Sequence, residues 1–143
     1  MSQSKVLLTF KNDEGKFQIE SVWATKEGEY FRIDNIPIFA PNLAWLDLVS
    51  VEEDNGALYF DELIEASGHS TLQMAIFNES EVAKVAADLV ELGCSWEGSH
   101  IKTLISVDVP PDAPYRDKIK PYLDKGELEH RLTYKEACLA HSY

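Results

Sequence analysis

The sequence predicts an α+β protein that has a small antiparallel β-barrel at its N-terminus and a ferredoxin-like half, of order βαββαβ, after it. Two observations lead to this fold class. Residues 4–66 contain five short strand patterns separated by turn signals at hairpin spacing, which is typical of small all-β units. Beyond them, strand patterns alternate with helical patterns. We therefore predict two closely packed domains, residues 1–66 and residues 67–143.

Turn-forming residues separate the strands of the first half. Pro37 has no amide hydrogen and must leave the strand pairing, so residues 36–46 are predicted to form a loop that covers one end of the barrel. Asn55 and Gly56 accept positive φ and predict a tight hairpin. The five strand patterns cover residues 6–10, 17–25, 30–33, 47–52 and 57–65.

The second half begins at a turn that contains Gly68, for which we expect a positive φ. Gly126 is expected to end the second helix, in which Pro121 indicates either a break or a start near Ile119. Residues 134–140 are predicted to add a short terminal helix. The other predicted elements are a strand over residues 71–77, a helix between residues 78 and 93, strands over residues 94–97 and 101–109, a helix over residues 115–125 and a strand over residues 128–134.

The negative charge is confined to one part of the chain. Residues 33–101 contain 13 acidic side chains and one basic side chain, Lys84, which accounts for the whole net charge of −12. Nucleic acids and anionic membranes are therefore not expected as partners, because binding phosphate requires a basic surface. Two interpretations stay open. The acidic residues form either a well-solvated surface or a face that attracts a basic protein.

Other features of the sequence predict a cytoplasmic protein. No run of 18 apolar residues predicts a transmembrane helix, and the N-terminal residues lack the apolar core of a signal peptide. Cys94 and Cys138 do not have the spacing of a metal site. We expect both to be reduced and partly buried thiols.

The most reactive-looking cluster is residues 67–71, which contains Ser67 and His69. A hydroxyl beside an imidazole can form a nucleophile and general-base pair, which predicts a hydrolase as one alternative. The segment lacks the Gly-x-Ser-x-Gly pattern of a nucleophile elbow. The other interpretation is a hydrogen-bonded turn between the two halves, in which His69 holds backbone groups.

The candidate binding residues lie in the acidic stretch. Phe39 and Trp45 would supply apolar anchors, because exposed aromatic residues often dominate protein interfaces. The acidic members of this candidate surface are Asp47, Glu52, Glu53, Asp61, Glu62 and Glu65. No cofactor and no metal site are predicted, because the four histidines are scattered and the chain has neither a calcium-binding loop nor a glycine-rich phosphate loop.

Several segments resemble a small bacterial family that is known only as the domain of unknown function numbered 4265. The resemblance extends over nearly the whole chain and implies a stand-alone bacterial protein of this size with no assigned reaction. It supplies no catalytic residues. The segments that carry it are residues 30–39, 47–49, 66–71, 107–110, 122–126 and 134–138.

These observations predict a non-enzymatic cytosolic binding protein. In its most specific form it is an immunity or antitoxin-like protein, which neutralises a basic bacterial toxin through its acidic face. One alternative is a small-molecule-sensing or regulatory module with a pocket between the two halves. The other is the hydrolase that uses Ser67 and His69. The oligomeric state stays open.

Overall fold

The computed structural model describes residues 3–142 and contains nine strands and two α-helices in that range. A 3-10 turn at Glu79–Glu81 leads into the first helix, and a π-helical turn at Tyr115–Ile119 leads into the second. The elements are β1 (Gln3–Lys11), β2 (Phe17–Glu27), β3 (Tyr30–Ile33), β4 (Leu48–Asp54), β5 (Ala57–Glu65), β6 (Ser70–Ile76), α1 (Val82–Glu91), β7 (Ser95–Gly98), β8 (Leu104–Val109), α2 (Lys120–Leu128) and β9 (Leu132–Cys138).

Strands β1 to β5 form one curled sheet in which each strand pairs antiparallel with the next. Strand β5 returns to β1 through a parallel contact of two residue pairs and so closes the ring. Alternate side chains point inward, as the strand period of two requires. The enclosed core contains Val6, Leu8, Val22, Ala24, Phe31, Ile33, Ala40, Leu43 and Val49.

Strands β6 to β9 form a second, four-stranded antiparallel sheet in the order β7-β8-β6-β9. Both helices cover the same face of this sheet, where their apolar side chains pack against those of the strands. The resulting core contains Leu72, Met74, Ile76, Val85, Leu89, Cys94, Ile105, Val107, Val109, Tyr115, Ile119, Leu123 and Leu132. No helix of residues 3–142 has the length and apolar character needed to cross a membrane.

This architecture corrects the predicted fold class. The chain is a sheet-rich α+β fold with nine strands in two sheets and two α-helices in residues 3–142, and a parallel contact between β5 and β1 closes the first sheet, in place of the predicted purely antiparallel barrel. The two halves, residues 1–66 and 67–143, were predicted to pack closely against each other. In the structure, the loop between β3 and β4 lies across the helix-free face of the second sheet.

Two predicted turns are confirmed. Asn55 and Gly56 have φ of 52° and 83° and join β4 to β5. Gly68 has φ of 90°, and a Cβ atom at this position would lie 3.3 Å from Cγ of Pro111. Glycine is therefore favoured at residue 68 both by its backbone conformation and by the close approach of Pro111.

The predicted C-terminal elements were wrong in position. Gly126 does not end α2 but lies buried within it, and a Cβ atom there would be 2.8 Å from Cδ2 of Leu132. The helix continues to Leu128, and His130 turns the chain with φ of 57°. The last strand is therefore β9 rather than residues 128–134, and residues 134–140 form no terminal helix. Gly126 serves close packing, which the sequence pattern does not distinguish from a helix stop.

Pro121 is accommodated at the start of α2, one residue after the helix begins at Lys120. The amide hydrogens of the first helical turn have no partner within the helix, so a proline there removes no hydrogen bond. This position agrees with the second of the two predicted alternatives, a helix that starts near Ile119.

Candidate functional site

The loop of residues 34–47 lies on the face of the second sheet that is opposite the helices. This face carries polar side chains at its centre, and they hold the loop through its main-chain carbonyl groups. Buried polar groups need such partners, so the loop and the sheet face complement each other. The three hydrogen bonds run from Thr71 Oγ1 to the oxygen of Leu43 at 2.9 Å, from Gln73 Nε2 to that of Phe39 at 3.1 Å and from Ser106 Oγ to that of Ile36 at 3.4 Å.

Carboxylates hold the amide groups of the same loop. Glu20 of β2 accepts hydrogen bonds from three consecutive backbone amides, those of residues 38–40, at 2.6, 3.0 and 2.9 Å. Glu97 of β7 accepts from the amide of Ile36 and, at 3.2 Å, from the side chain of Asn35. Ionised acceptors make stronger hydrogen bonds than neutral ones, so these contacts fix the loop firmly.

Asp47 is a third carboxylate of this kind. Its side chain is buried and accepts a hydrogen bond from the amide of Ala44 at 2.9 Å and another from the amide of Ser67 at 2.8 Å. The second bond joins the end of the loop to the turn between the two halves. Asp47 was predicted as part of an exposed acidic surface, whereas its position is that of an internal support.

Part of the helix-free sheet face is left uncovered and forms the floor of a groove of about 870 Å³. Strand register defines this floor, because cross-strand partners project from the same face. Leu104, Ala75 and Thr133 are aligned in one row, and Gln73 and Lys135 lie side by side in the next. The floor is thus mostly apolar or uncharged, with the Lys135 side chain at one edge.

The walls of the groove come from both halves of the chain. Phe10 at the end of β1 stacks on Phe39 of the loop, with ring centroids 5.7 Å apart and planes inclined by 12°. His100 also contacts Phe39, at 5.9 Å between ring centroids. The three rings and the floor line one continuous cavity. Such a combination of aromatic wall and sparse polar groups is typical of ligand sites.

His69 and Asp108 form a second cluster, at the seam between the two halves. His69 Nδ1 lies 2.8 Å from Asp108 Oδ1, and the ring of Trp45 packs edge-on against the imidazole at 5.3 Å between centroids. Burial raises the pKa of Asp108, while the nearby His69 acts in the opposite direction. Asp108 Oδ2 has no hydrogen-bond partner among residues 3–142. The pair resembles the orienting half of a catalytic triad, although neither of the two cavities described for the molecule is lined by it.

The hydrogen bonds of the Ser67 hydroxyl in residues 3–142 go to backbone groups rather than to the imidazole of His69. This hydroxyl donates to the main-chain oxygen of Trp45 at 2.8 Å and accepts from the backbone amide of His69 at 3.2 Å. The hydroxyl therefore supports the turn around Gly68. This geometry matches the alternative of a hydrogen-bonded turn, and it separates Ser67 from the base that a hydrolase would require.

The predicted acidic surface is divided in the structure. Phe39 lies in the groove, and the indole Nε1 of Trp45 donates to Asp34 at 3.1 Å at the seam. Neighbouring residues Glu52 and Glu53 of β4 project from opposite faces of the sheet, because Glu52 pairs with Tyr59 and Glu53 with Leu58. The acidic residues that remain exposed on the β4–β5 hairpin are Glu52, Glu53, Asp54, Asp61, Glu62 and Glu65.

No group of three or more histidine, cysteine, aspartate or glutamate side chains in residues 3–142 is arranged to hold a metal ion. Cys94 and Cys138 are both free thiols. Burial raises the pKa of Cys94 to about 12, with a further contribution from the charge of Asp108, and burial also raises the pKa of Cys138. Neither thiol is therefore activated as a nucleophile.

Comparison with known proteins gives a family but no reaction. Residues 20–134 match the family model described as Domain of unknown function (DUF4265). The chain belongs to this family. A crystal structure of a hypothetical protein from Neisseria gonorrhoeae is similar over 99% of both chains, with 30% sequence identity and a TM-score of 0.88. No curated protein matches the chain.

The groove residues of this DUF4265 protein were mostly missed by sequence reasoning. Phe39 was singled out, but as an anchor of the acidic surface. Phe10, His100 and Lys135 gave no local signal, because they are far apart along the chain. One usable signal was the alternation in β9, whose odd-numbered residues face away from the helical core.

Proposed function

We propose that this protein is a non-catalytic binding module whose ligand occupies the groove between the two sheets. The observation that supports this function is the groove itself, with its uncovered sheet floor and stacked aromatic wall. Its volume of about 870 Å³ lies in the usual range of small-molecule sites. Residues of both halves line it, so a bound ligand would stabilise their relative position. That property suits a sensing or regulatory role.

A binding role is favoured over catalysis by the chemistry of the lining. The groove residues include neither serine nor cysteine, and the acid–base pair of His69 and Asp108 lies elsewhere. Nucleophilic catalysis requires a nucleophile and a base within hydrogen-bond reach of each other and of a bound substrate. The free thiols Cys94 and Cys138 are also compatible with the cytoplasm, which we propose as its compartment.

Fragment screening by two-dimensional NMR of the ¹⁵N-labelled protein tests the proposal. Ligands of the groove should shift the amide signals of Gln73, Ala75, Lys135 and His100. Ala75→Phe should abolish those shifts, because the new ring would fill the floor. Ala87→Phe on the exposed side of α1 is the matched control and should leave binding unchanged. Circular dichroism and melting temperature verify that both variants fold.

The proposal would be overturned by a screen in which no fragment shifts the groove signals. It would also fail if the folded Ala75→Phe variant bound fragments as the wild type does. Purification from the source bacterium provides a second readout. A small molecule released from the native protein would agree with a ligand site, whereas a stoichiometric basic protein would favour the second candidate function.

We also propose a second candidate, in which the β4–β5 hairpin binds a basic protein such as a bacterial toxin. The hairpin, residues 48–65, contains six acidic side chains and no basic one, and all six acids are exposed. Reversing the charge of Glu52, Glu53 and Glu62 should slow association and weaken its dependence on salt. Surface plasmon resonance at two ionic strengths measures both effects. Association rates that respond neither to the charge reversals nor to the ionic strength would exclude the hairpin as the binding surface.

A further inference from the structure

We infer that the groove selects a small anionic ligand with an aromatic body, whose carboxylate or similar group meets Lys135. This inference rests on the proposed ligand-binding function and specifies its chemistry. Two properties of the groove carry it: the sign of the charge on its floor and the position of the stacked rings relative to that charge.

Of the charged side chains on the sheet face that forms the floor, only one is left exposed in the groove. Strand register places three charged side chains on this helix-free face: Glu97, Asp108 and Lys135. Glu97 is bound to the loop at Ile36, and Asp108 is buried against His69. Lys135 is exposed in the groove, and it has no ion-pair partner among residues 3–142.

The remaining charged residues of the lining do not cancel Lys135. Glu136 projects to the helical side of β9, where it accepts a hydrogen bond from the hydroxyl of Tyr115 at 2.6 Å. Lys11, which also lines the groove, is basic as well, and its ammonium lies over the ring of Phe17 at 5.1 Å from the ring centroid. Asp13 is exposed in the β1–β2 turn at the rim. In a chain of net charge −12, the floor thus presents a cation.

The aromatic wall defines the other end of the ligand. The rings of Phe10 and Phe39 stack on each other, and His100 tilts against Phe39 at 49° between planes. Ala75 and Leu104 provide a flat apolar base next to these rings. A planar ring fits between such surfaces by offset or edge-to-face contact. Gln73 donates a hydrogen bond to the main-chain oxygen of Phe39 and is the cross-strand partner of Lys135. The aromatic wall and the cation are therefore both next to Gln73.

Two probes with similar ring systems and opposite charges test the inference. Indole-3-acetate carries a carboxylate and tryptamine carries an ammonium group. We expect indole-3-acetate to bind at least about tenfold more tightly, as measured by NMR titration of the groove amides. The preference should fall as the salt concentration rises, because the Lys135 side chain is accessible to solvent.

Variants locate the charge effect. Lys135→Gln should weaken binding of indole-3-acetate about threefold to tenfold and leave tryptamine binding unchanged or tighter. Lys118→Gln, on the helical side of the molecule, removes the same charge at an exposed position and should change neither affinity. This comparison separates a local contact from the change in net charge.

The outcomes distinguish the two proposals. Equal binding of both probes in the groove, or an anion preference that Lys135→Gln does not reduce, would overturn the anionic class while leaving a ligand site in place. Absence of binding by either probe, together with a fragment screen that shifts no groove signal, would overturn the proposed function itself. Tighter binding of tryptamine would assign the opposite charge to the ligand.

Discussion

Replacing Asp47 by asparagine tests whether this residue supports the loop or binds a partner. The carboxylate is 2% exposed and accepts one hydrogen bond on each oxygen, from the amides of Ala44 and Ser67. Asparagine can accept only one of them, because its NH₂ group would face the other amide hydrogen. The substitution is nearly isosteric, so any loss of stability reports the hydrogen bonds rather than packing.

The expected loss follows from those two contacts. Removing one hydrogen bond to a charged acceptor costs about 1.5–3 kcal/mol, and a buried amide left without a partner adds to this, so we expect about 3 kcal/mol. For a domain of this size, 1 kcal/mol corresponds to a change of roughly 3–4 °C in melting temperature. The Asp47→Asn variant should therefore melt about 10 °C below the wild type.

Urea and thermal unfolding, followed by circular dichroism, measure the effect. Asp61→Asn is the control, because it removes the same charge from an exposed carboxylate whose contact with Ser50 is 3.5 Å long. The control should stay within about 0.5 kcal/mol of the wild type. If Asp47→Asn unfolded like the control, the two buried hydrogen bonds would not support the loop, and our reasoning about it would be refuted.

Three further predictions concern the second half. Gly126→Ala should lower the free energy of unfolding by about 1–3 kcal/mol in urea titrations, because the new Cβ would crowd Leu132, whereas an ordinary helical site would gain stability. Tyr122→Phe removes the hydrogen bond that, more than any other contact, lowers the pKa of Asp88, so it should cost about 1 kcal/mol at pH 7. A lowered carboxylate pKa stabilises the fold above about pH 4, and this effect is lost as the pH falls through the folded pKa. The difference in free energy of unfolding between the wild type and Tyr122→Phe should therefore shrink near pH 3. A difference that stays constant with pH would contradict this role of the hydrogen bond. Cys94, with its pKa raised to about 12 by burial, should resist iodoacetamide at pH 8 until urea unfolds the chain, as mass spectrometry would detect.

Local features were predictable where a short segment determines its own conformation. The hairpin at Asn55 and Gly56 and the positive φ of Gly68 follow from the few residue types that accept such backbone angles. Pro37 likewise predicted that the chain leaves the sheet after β3. The family was also identified from local segments, because the resemblance lies in short runs of residues.

Alternation indicated strands but did not indicate which side of a strand is buried. In β2, Phe17, Ile19 and Trp23 are 71%, 57% and 42% exposed, while Val22 and Ala24 face the core. Both faces of this strand carry apolar residues, so the choice between them depends on how the sheet curls. Gly126 is a similar case, because its role depends on the approach of Leu132 and not on its neighbours in the sequence.

The sequence by itself determined the strands of the first half, the main turns, the family and the location of the acidic excess in residues 33–101. Only the tertiary structure decided what individual carboxylates do. Asp47 and Glu97 hold the loop, while the acids of the β4–β5 hairpin stay exposed. The groove was also decided at this level, because Phe10, Phe39 and Lys135 meet only when the two sheets pack together. Charge and hydrophobicity are properties of single residues, whereas burial and partnership depend on contacts between residues far apart in the chain.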